Sequence, residues 1–342
     1  MLLIGSLSFA AMPTSVYNQK FPNPYNWTGN PQDDMLNWAK GVESVMGLGY
    51  GVGTGNIYYV DSAATGSGTG LSLADAKTTL DAAFNLCTAS NGDVIIVAQG
   101  TTGTFNASTT CSPDVIGVTV LGCGNGTNRP TFTFATASLA ASNQLDISAN
   151  GIVFNNIRFV GNVSMLAAPI KISAAGVKLL NCEFTDTAAS PTVRWITLTE
   201  AADNAVVAGC VYISPIGENV AYAAATPMSF VSVSPTKASL LNGISIIGNQ
   251  MSGAFGTAGI SFVNGSITNT LIYGNFIEAS GSDSFSIKGI ESATGFVKDN
   301  SFVTSRADYG FVSGTSCKMA LIGNSCSSNS SPTAFLNASI KW

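Results

Sequence analysis

The chain has 342 residues, enough for one large domain or two ordinary ones, and only 10% of them are charged, against roughly 25% in ordinary soluble domains. Fourteen lysines and arginines face 19 acids for a formal net charge of −5, which gives no basic footprint for nucleic acid. Histidine is absent, so Ser-His-Asp and Cys-His catalysis and His-ligated metals are excluded, and no cofactor or metal is expected.

The opening "MLLIGSLSFAAMPTS" has no basic n-region, its first charge being Lys20, and its dozen or so apolar residues are too few to span a bilayer. It is expected to rest on another protein chain. "YNQKFPNPYNWTGNP" follows as an extended, aromatic arm. In "PQDDMLNWAKGVESVMG" apolar residues recur at helical spacing, with acids in the first turn. The docking residues expected in this arm are Met1, Leu2, Leu3, Phe21, Tyr25, Trp27 and Trp38. "GLGYGVGTG" fits neither dinucleotide nor P-loop spacing and reads as a hinge that closes the arm, residues 1–55.

Residues 56–115 read as strand, loop, helix, strand. "NIYYVDS" is β-rich and "AATGSGTG" is a loop. A capping helix is expected over 72–87, with Leu73, Ala76, Leu80, Ala83, Phe84 and Cys87 as its apolar stripe. "NGDVIIVAQG" then turns into a buried strand. Seven cysteines without a CxxC pair define no disulfide framework, although Cys87 with Cys111, or Cys317 with Cys326, could each close a loop.

From residue 116 to 342 one short pattern recurs. Its copies are "VTVLGCGN" (118–125), "IVFNNIRF" (152–159), "VKLLNCEF" (177–184), "AVVAGCVY" (205–212), "ISIIGNQM" (244–251), "TLIYGNFI" (270–277), "GFVKDNSF" (295–302) and "MALIGNSC" (319–326). The fifth position is always Gly, Asn or Asp, and the minimum spacing lies near 25 residues. A period in the twenties with short strands and turn residues predicts a solenoid, and here a parallel β-helix with coils about 4.8 Å apart. Positions one, three, six and eight are expected to point inward, and two, four and seven outward. The sixth position then stacks Asn249, Asn275, Asn300 and Asn324 into an internal amide ladder, with Cys123, Cys182 and Cys210 in the same column. The outward positions supply an apolar face, Ile247, Leu271, Tyr273, Phe296 and Ile322, which predicts self-association as a homotrimer.

Position seven sets Arg158 above Glu183, an ordinary cross-strand ion pair. With Arg194, the acids Glu183, Asp186, Glu200 and Asp203 are the weak candidates for a carboxylate pair that could cleave sugar. No repeated carboxylate column supports them, so a non-enzymatic role is expected.

"GNIYYVDSAATGSGTGLSLADAKTTLDAAFNLCTASNGDVIIVAQGTTGTF" (55–105) resembles the opening segment of pectate-lyase-like right-handed parallel β-helix proteins, above all those carried on bacteriophage particles. The resemblance extends over the later "GN" coils to about residue 330. It implies an all-β right-handed β-helix and a virion protein. Lyases of that superfamily carry clustered Asp for calcium and an Arg or Lys base, and no aligned column here has such a cluster. The expectation is therefore a capsid decoration or fibre-like projection. Its arm would meet the major capsid protein or another virion protein, and its surface could touch host glycans. Nucleic acid and membrane are not expected partners. The alternative is a tailspike enzyme that cleaves host polysaccharide.

Overall fold

A computed structural model of the chain describes residues 55–328 apart from 67, 107–110, 136–144, 164–165, 167, 188–191, 215–228, 236–239, 254, 264, 280–284, 290–292, 305–311 and 314–317. The docking residues expected in the arm therefore lie outside the described residues, as does Cys317.

The described coils wind through three parallel sheets, most of them giving one strand to each. The first sheet has 11 strands and runs from Ile57–Val60 to Lys318–Ile322; the second has nine, from Thr102–Phe105 to Ser325–Ser328. The third has seven, from Leu145–Ile147 to Val312–Ser313, so about seven complete turns are described. One turn consists of Lys178–Leu180, Glu183–Asp186 and Arg194–Leu198, after which Val206–Ala208 re-enters the first sheet. Leu179 pairs with Phe154 in the turn before and Val207 in the turn after, so like positions stack. This is an all-β parallel β-helix, and the right-handed sense that the resemblance implies agrees with the usual hand of parallel crossovers.

Strands this short persist because alternate residues are buried on a shared axis. In 177–184, Val177, Leu179, Cys182 and Phe184 are buried, while Lys178, Leu180, Glu183 and the bend residue Asn181 are not. The eighth-position column stacks Phe132, Phe159, Phe184 and Tyr212, then Met251, Ile277 and Phe302. Phe159 and Phe184 lie 5.5 Å apart between ring centroids and Phe184 and Phe230 5.0 Å. Each such ring, fully buried, contributes about 1.5–3 kcal/mol.

The fifth position makes the bend. Asn156, Asn181, Gly209, Gly248, Gly274, Asp299 and Gly323 all have φ between 51° and 64°, a region that Gly, Asn and Asp tolerate best. At Gly209 space is also decisive, because a Cβ there would stand 2.6 Å from Asn181 Oδ1 of the preceding turn.

The first copy, "VTVLGCGN", departs from the pattern. Its strand runs straight through Gly122, where a Cβ would sit 2.2 Å from the Asn156 carbonyl oxygen. The positive φ falls instead at Gly124, and the Asn156 amide donates to the carbonyls of Gly122 and Gly124, both at 2.8 Å. Cys123 consequently leaves the inward column and packs, half-buried, against the small outer cluster of Tyr59, Ala76 and Ile96.

The capping segment is also shorter than the apolar stripe predicts. Its α-helix, α1, spans only Leu80–Phe84, with Thr79 Oγ1 accepting the Ala82 N–H at 3.2 Å, and Leu73–Asp75 forms a separate 3-10 turn. Lys77 is extended between them because it pairs with the first strand: its N–H donates to Tyr59 O and its carbonyl accepts from Asp61 N–H, both at 2.9 Å. Leu80, Ala83 and Phe84 still close the end of the core, and Phe84 lies 6.3 Å from Phe154 between ring centroids. Asp93 of "NGDVIIV" is fully buried and accepts the N–H groups of Asn56 at 2.7 Å and Thr88 at 2.6 Å. It thereby ties the start of the first strand and the end of the capping segment to the head of Val94–Val97.

At the bend between the first and second sheets, each ladder asparagine serves the turn before it. Asn275 Oδ1 accepts the Asn249 backbone N–H at 3.0 Å and the Asn249 side-chain amide at 2.9 Å, while Asn275 Nδ2 donates to Ile246 O at 2.8 Å. Asn300 and Asn324 repeat the arrangement, and Asn249 continues it to the Cys210 N–H and the Val207 carbonyl, both at 2.9 Å. Replacing Asn275 by Leu leaves the Asn249 backbone N–H and one Asn249 side-chain N–H buried without the acceptor they share, at about 1–3 kcal/mol each. Asn275→Leu should lower the urea midpoint by several kcal/mol equivalent; a midpoint equal to wild type would refute the ladder's role in stability.

Candidate functional site

The four acids singled out in the sequence do not converge. Glu183 lies on the outer face of the second sheet, held by Arg158 of the preceding turn (Nε–Oε1 2.8 Å, Nη2–Oε1 2.5 Å) and by Arg129 (Nη1–Oε2 3.2 Å). All three side chains are 20–28% exposed, so the cluster contributes at most about 1 kcal/mol per pair. Two guanidiniums thus occupy both of its carboxylate oxygens.

Asp186 lies on the same strand but faces the other way. Alternation puts Glu183 outward, Phe184 inward, Thr185 outward and Asp186 inward, where it is 2% exposed. Its carboxylate accepts from Thr192 N–H at 3.0 Å, Thr192 Oγ1 at 2.6 Å, Trp195 Nε1 at 3.2 Å and Tyr212 Oη at 3.1 Å. Gly161 in the turn before gives it room, since a Cβ there would lie 2.5 Å from Asp186 Oδ1. Asp186 therefore ties the second sheet to the third at an interior corner. Burial pushes its carboxyl above the usual range, against the pull of the surrounding donors.

Glu200 is exposed in the turn between the third and first sheets, and Asp203 in the same turn accepts the Asn242 N–H at 2.7 Å. Arg194 stands half-buried at the start of its third-sheet strand. The mixed-charge patch expected from these residues is thus divided among an outer face, an interior corner and a turn. Among the described residues no three Asp, Glu or Cys side chains form a group able to hold a metal ion. Cys87 and Cys111 are both free thiols. Burial and the nearby Asp93 push Cys87 up to about 12.

The outward positions of the first sheet tell a different story in the last turns. Leu271, Phe296 and Ala320 share one register line, and Ile247, Tyr273, Lys298 and Ile322 the adjacent one. Phe296 is 51% exposed, Ile322 45% and Tyr273 41%, whereas Ile247 and Leu271 are half-buried. Lys298 Nζ lies 5.9 Å from the Tyr273 ring centroid. Phe276, at position seven beyond the bend, adds a further exposed ring. The sequence marks it only through its place in the repeat.

No protein-family model and no curated protein matches the sequence. Among solved structures, pectate lyase Pel9A is 15% identical with a TM-score of 0.49, over 84% of this chain and 79% of that one. The endo-xylogalacturonan hydrolase from Aspergillus tubingensis is 10% identical with a TM-score of 0.39, over 80% of this chain and 93% of that one. Tailspike protein 3 of bacteriophage CBA120 is 13% identical with a TM-score of 0.15, over 75% of this chain and 54% of that one. At these values the likenesses concern architecture alone, and the assignment of the fold rests on the strand pairing above.

Asp186→Asn places an amide donor among four donors and should destabilise the protein by about 1–3 kcal/mol. The pH dependence has a definite sign. A folded-state pKa raised by burial means that the folded chain holds this proton more tightly than the unfolded chain. The contribution of Asp186 is therefore full below the unfolded-state value and is lost as pH rises through the folded-state value. Urea titrations across the acid range should show this decline in wild type and not in Asp186→Asn; equal slopes would contradict it.

Proposed function

We propose that the chain is a structural projection of a virus particle, a β-helical shaft whose turns pack side by side as a homotrimer and whose residues 1–55 dock on the capsid or another virion protein. The observation that carries this reading is the exposure of Tyr273, Phe296 and Ile322 in three consecutive turns, on two adjacent register lines of the first sheet with Lys298 between Tyr273 and Ile322. A strip parallel to the axis is what side-by-side association of elongated coils would cover, and isolated monomers seldom expose such contiguous surface. The acids that might have argued for polysaccharide cleavage support the same reading, since Glu183 is clamped by two arginines and Asp186 is enclosed in the core.

In sedimentation experiments the full-length protein should run as a trimer, and the combined substitution of Tyr273, Phe296 and Ile322 by Ser should give a folded monomer. A wild-type monomer, or an unchanged trimer in the variant, would exclude this face. Deleting residues 1–50 should leave a folded β-helix that no longer joins the particle, scored by immunogold labelling of virions of the source virus. Incorporation of the truncated chain would contradict docking through the arm.

A further inference from the structure

Among the described residues, Cys182 and Cys210 are the two cysteines that strand register brings together. Leu180 pairs with Ala208 before them and Glu183 with Val211 after them, so they hold the same inward slot of consecutive turns. The Val211 N–H donates to the Cys182 carbonyl at 2.9 Å across this join. Neighbouring strands lie about 4.8 Å apart, inside the range of about 4.4–6.8 Å that disulfides span between Cα atoms. Both side chains are enclosed in the core, and both are free thiols.

The Cys210 side chain leans toward its neighbour. Its Sγ lies 3.5 Å from the carbonyl oxygen of Leu179, which belongs to the turn of Cys182. Cys182 Sγ lies 3.3 Å from Leu180 O, and the two thiols interact through a hydrogen bond. Burial raises both thiols. In Cys182 the bond from Cys210, backbone hydrogen bonds and the charge of Arg129 outweigh burial and hold it below its ordinary value, while Cys210 stays well above. Cys182 is therefore the sulfur that gives up its proton first, and a thiolate is the nucleophile of disulfide exchange.

The amide ladder stops at this place. Asn249 Oδ1 accepts the Cys210 N–H, and the next two positions of the slot toward the cap are these thiols. A covalent bond here would supply the tie between turns that amides supply further along.

We propose that Cys182 and Cys210 form a disulfide between consecutive turns when the chain folds in the presence of a low-molecular-weight disulfide such as glutathione disulfide. Cys210 exchanges with it while the turn is still open and releases one glutathione; the Cys182 thiolate then displaces the second. One S–S bond breaks and one forms, and the two cysteine protons leave on the two glutathiones. This staple does not depend on the shaft reading.

The test makes the full-length protein by cell-free translation, either in a buffer of glutathione and glutathione disulfide or with dithiothreitol alone. Free thiols are alkylated, and unreduced tryptic digests are read by mass spectrometry. Cleavage after Lys178, Arg194 and Lys237 should give residues 179–194 and 195–237 as one linked species in the first sample only. The linked protein should resist urea better than the reduced one, with a folding equilibrium constant larger on the order of 100-fold. That gain should vanish in Cys210→Ser; the peptide map of the wild type decides if this variant fails to fold. The proposal is overturned if folded protein from the glutathione buffer has both cysteines alkylated, or either one linked chiefly to another cysteine. It is overturned equally if the linked form is the less stable one, or if the chain folds with dithiothreitol but not in the glutathione buffer.

Discussion

A coil that turns a corner between two sheets must leave strand pairing for a residue or two, and the backbone groups there need partners inside the core. An unpaired buried amide or carbonyl costs about 1–3 kcal/mol, and a stacked fold meets that cost once per turn. In the last turns the sixth-position asparagine meets it: its oxygen accepts the N–H of the same position in the turn before, and its amide donates to that turn's third-position carbonyl. In the earlier turns the same slot holds Cys182 and Cys210, whose thiols lie 3.8 Å and 3.5 Å from the equivalent carbonyls of Phe154 and Leu179. A thiol is a weaker donor than an amide and brings no strong acceptor, so these turns lean more on packing. The aromatic column of Phe159, Phe184 and Tyr212 stands beside them. Where it gives way to Met251 and Ile277, the amides begin.

Among the described residues two buried carboxylates obey the same accounting. Asp93 and Asp186 each stand where backbone or side-chain donors converge, one at the cap and one at an interior corner. Charge is thus used sparingly and locally, in a chain with few charges to spend on its surface. On the outside, ion pairs such as Lys171–Asp146 and Arg158–Glu183 span neighbouring turns.

Most of the coil was legible in the sequence because a β-helix repeats its physics. Once the fifth position is a bend, the alternation on either side fixes which residues enter the core, and the burial of 244–251, 270–277 and 295–302 follows it closely. The first copy misled because Gly and Cys occur in the right slots without the bend; Gly122 is there to let the Asn156 carbonyl approach, a constraint set by the next turn. The capping helix was overextended because helical spacing in 72–87 is local, whereas the capture of Lys77 by Tyr59 and Asp61 is a contact between segments. Of the candidate site, only the Arg158–Glu183 pair could be placed from spacing. Asp186 could have been assigned to the interior by the period-two rule, but proximity in sequence grouped it with Glu183 instead.

The ends and faces of the shaft separate its tasks. Interior columns fix the stack and leave the outward positions free to vary, so the apolar strip of the last turns is not required by the coil itself. Alanine at position 320 and lysine at position 298 occupy outward slots beside Phe296 and Tyr273 without disturbing the strand pairing. An exposed phenylalanine in such a slot is therefore not explained by the coil's own packing. The step at the capped end has the opposite origin, because a stack that begins with one strand more in its first sheet than in its second must leave one. One feature is permitted by the repeat and the other is created where the repeat begins, which is why only the first could be read from the aligned copies.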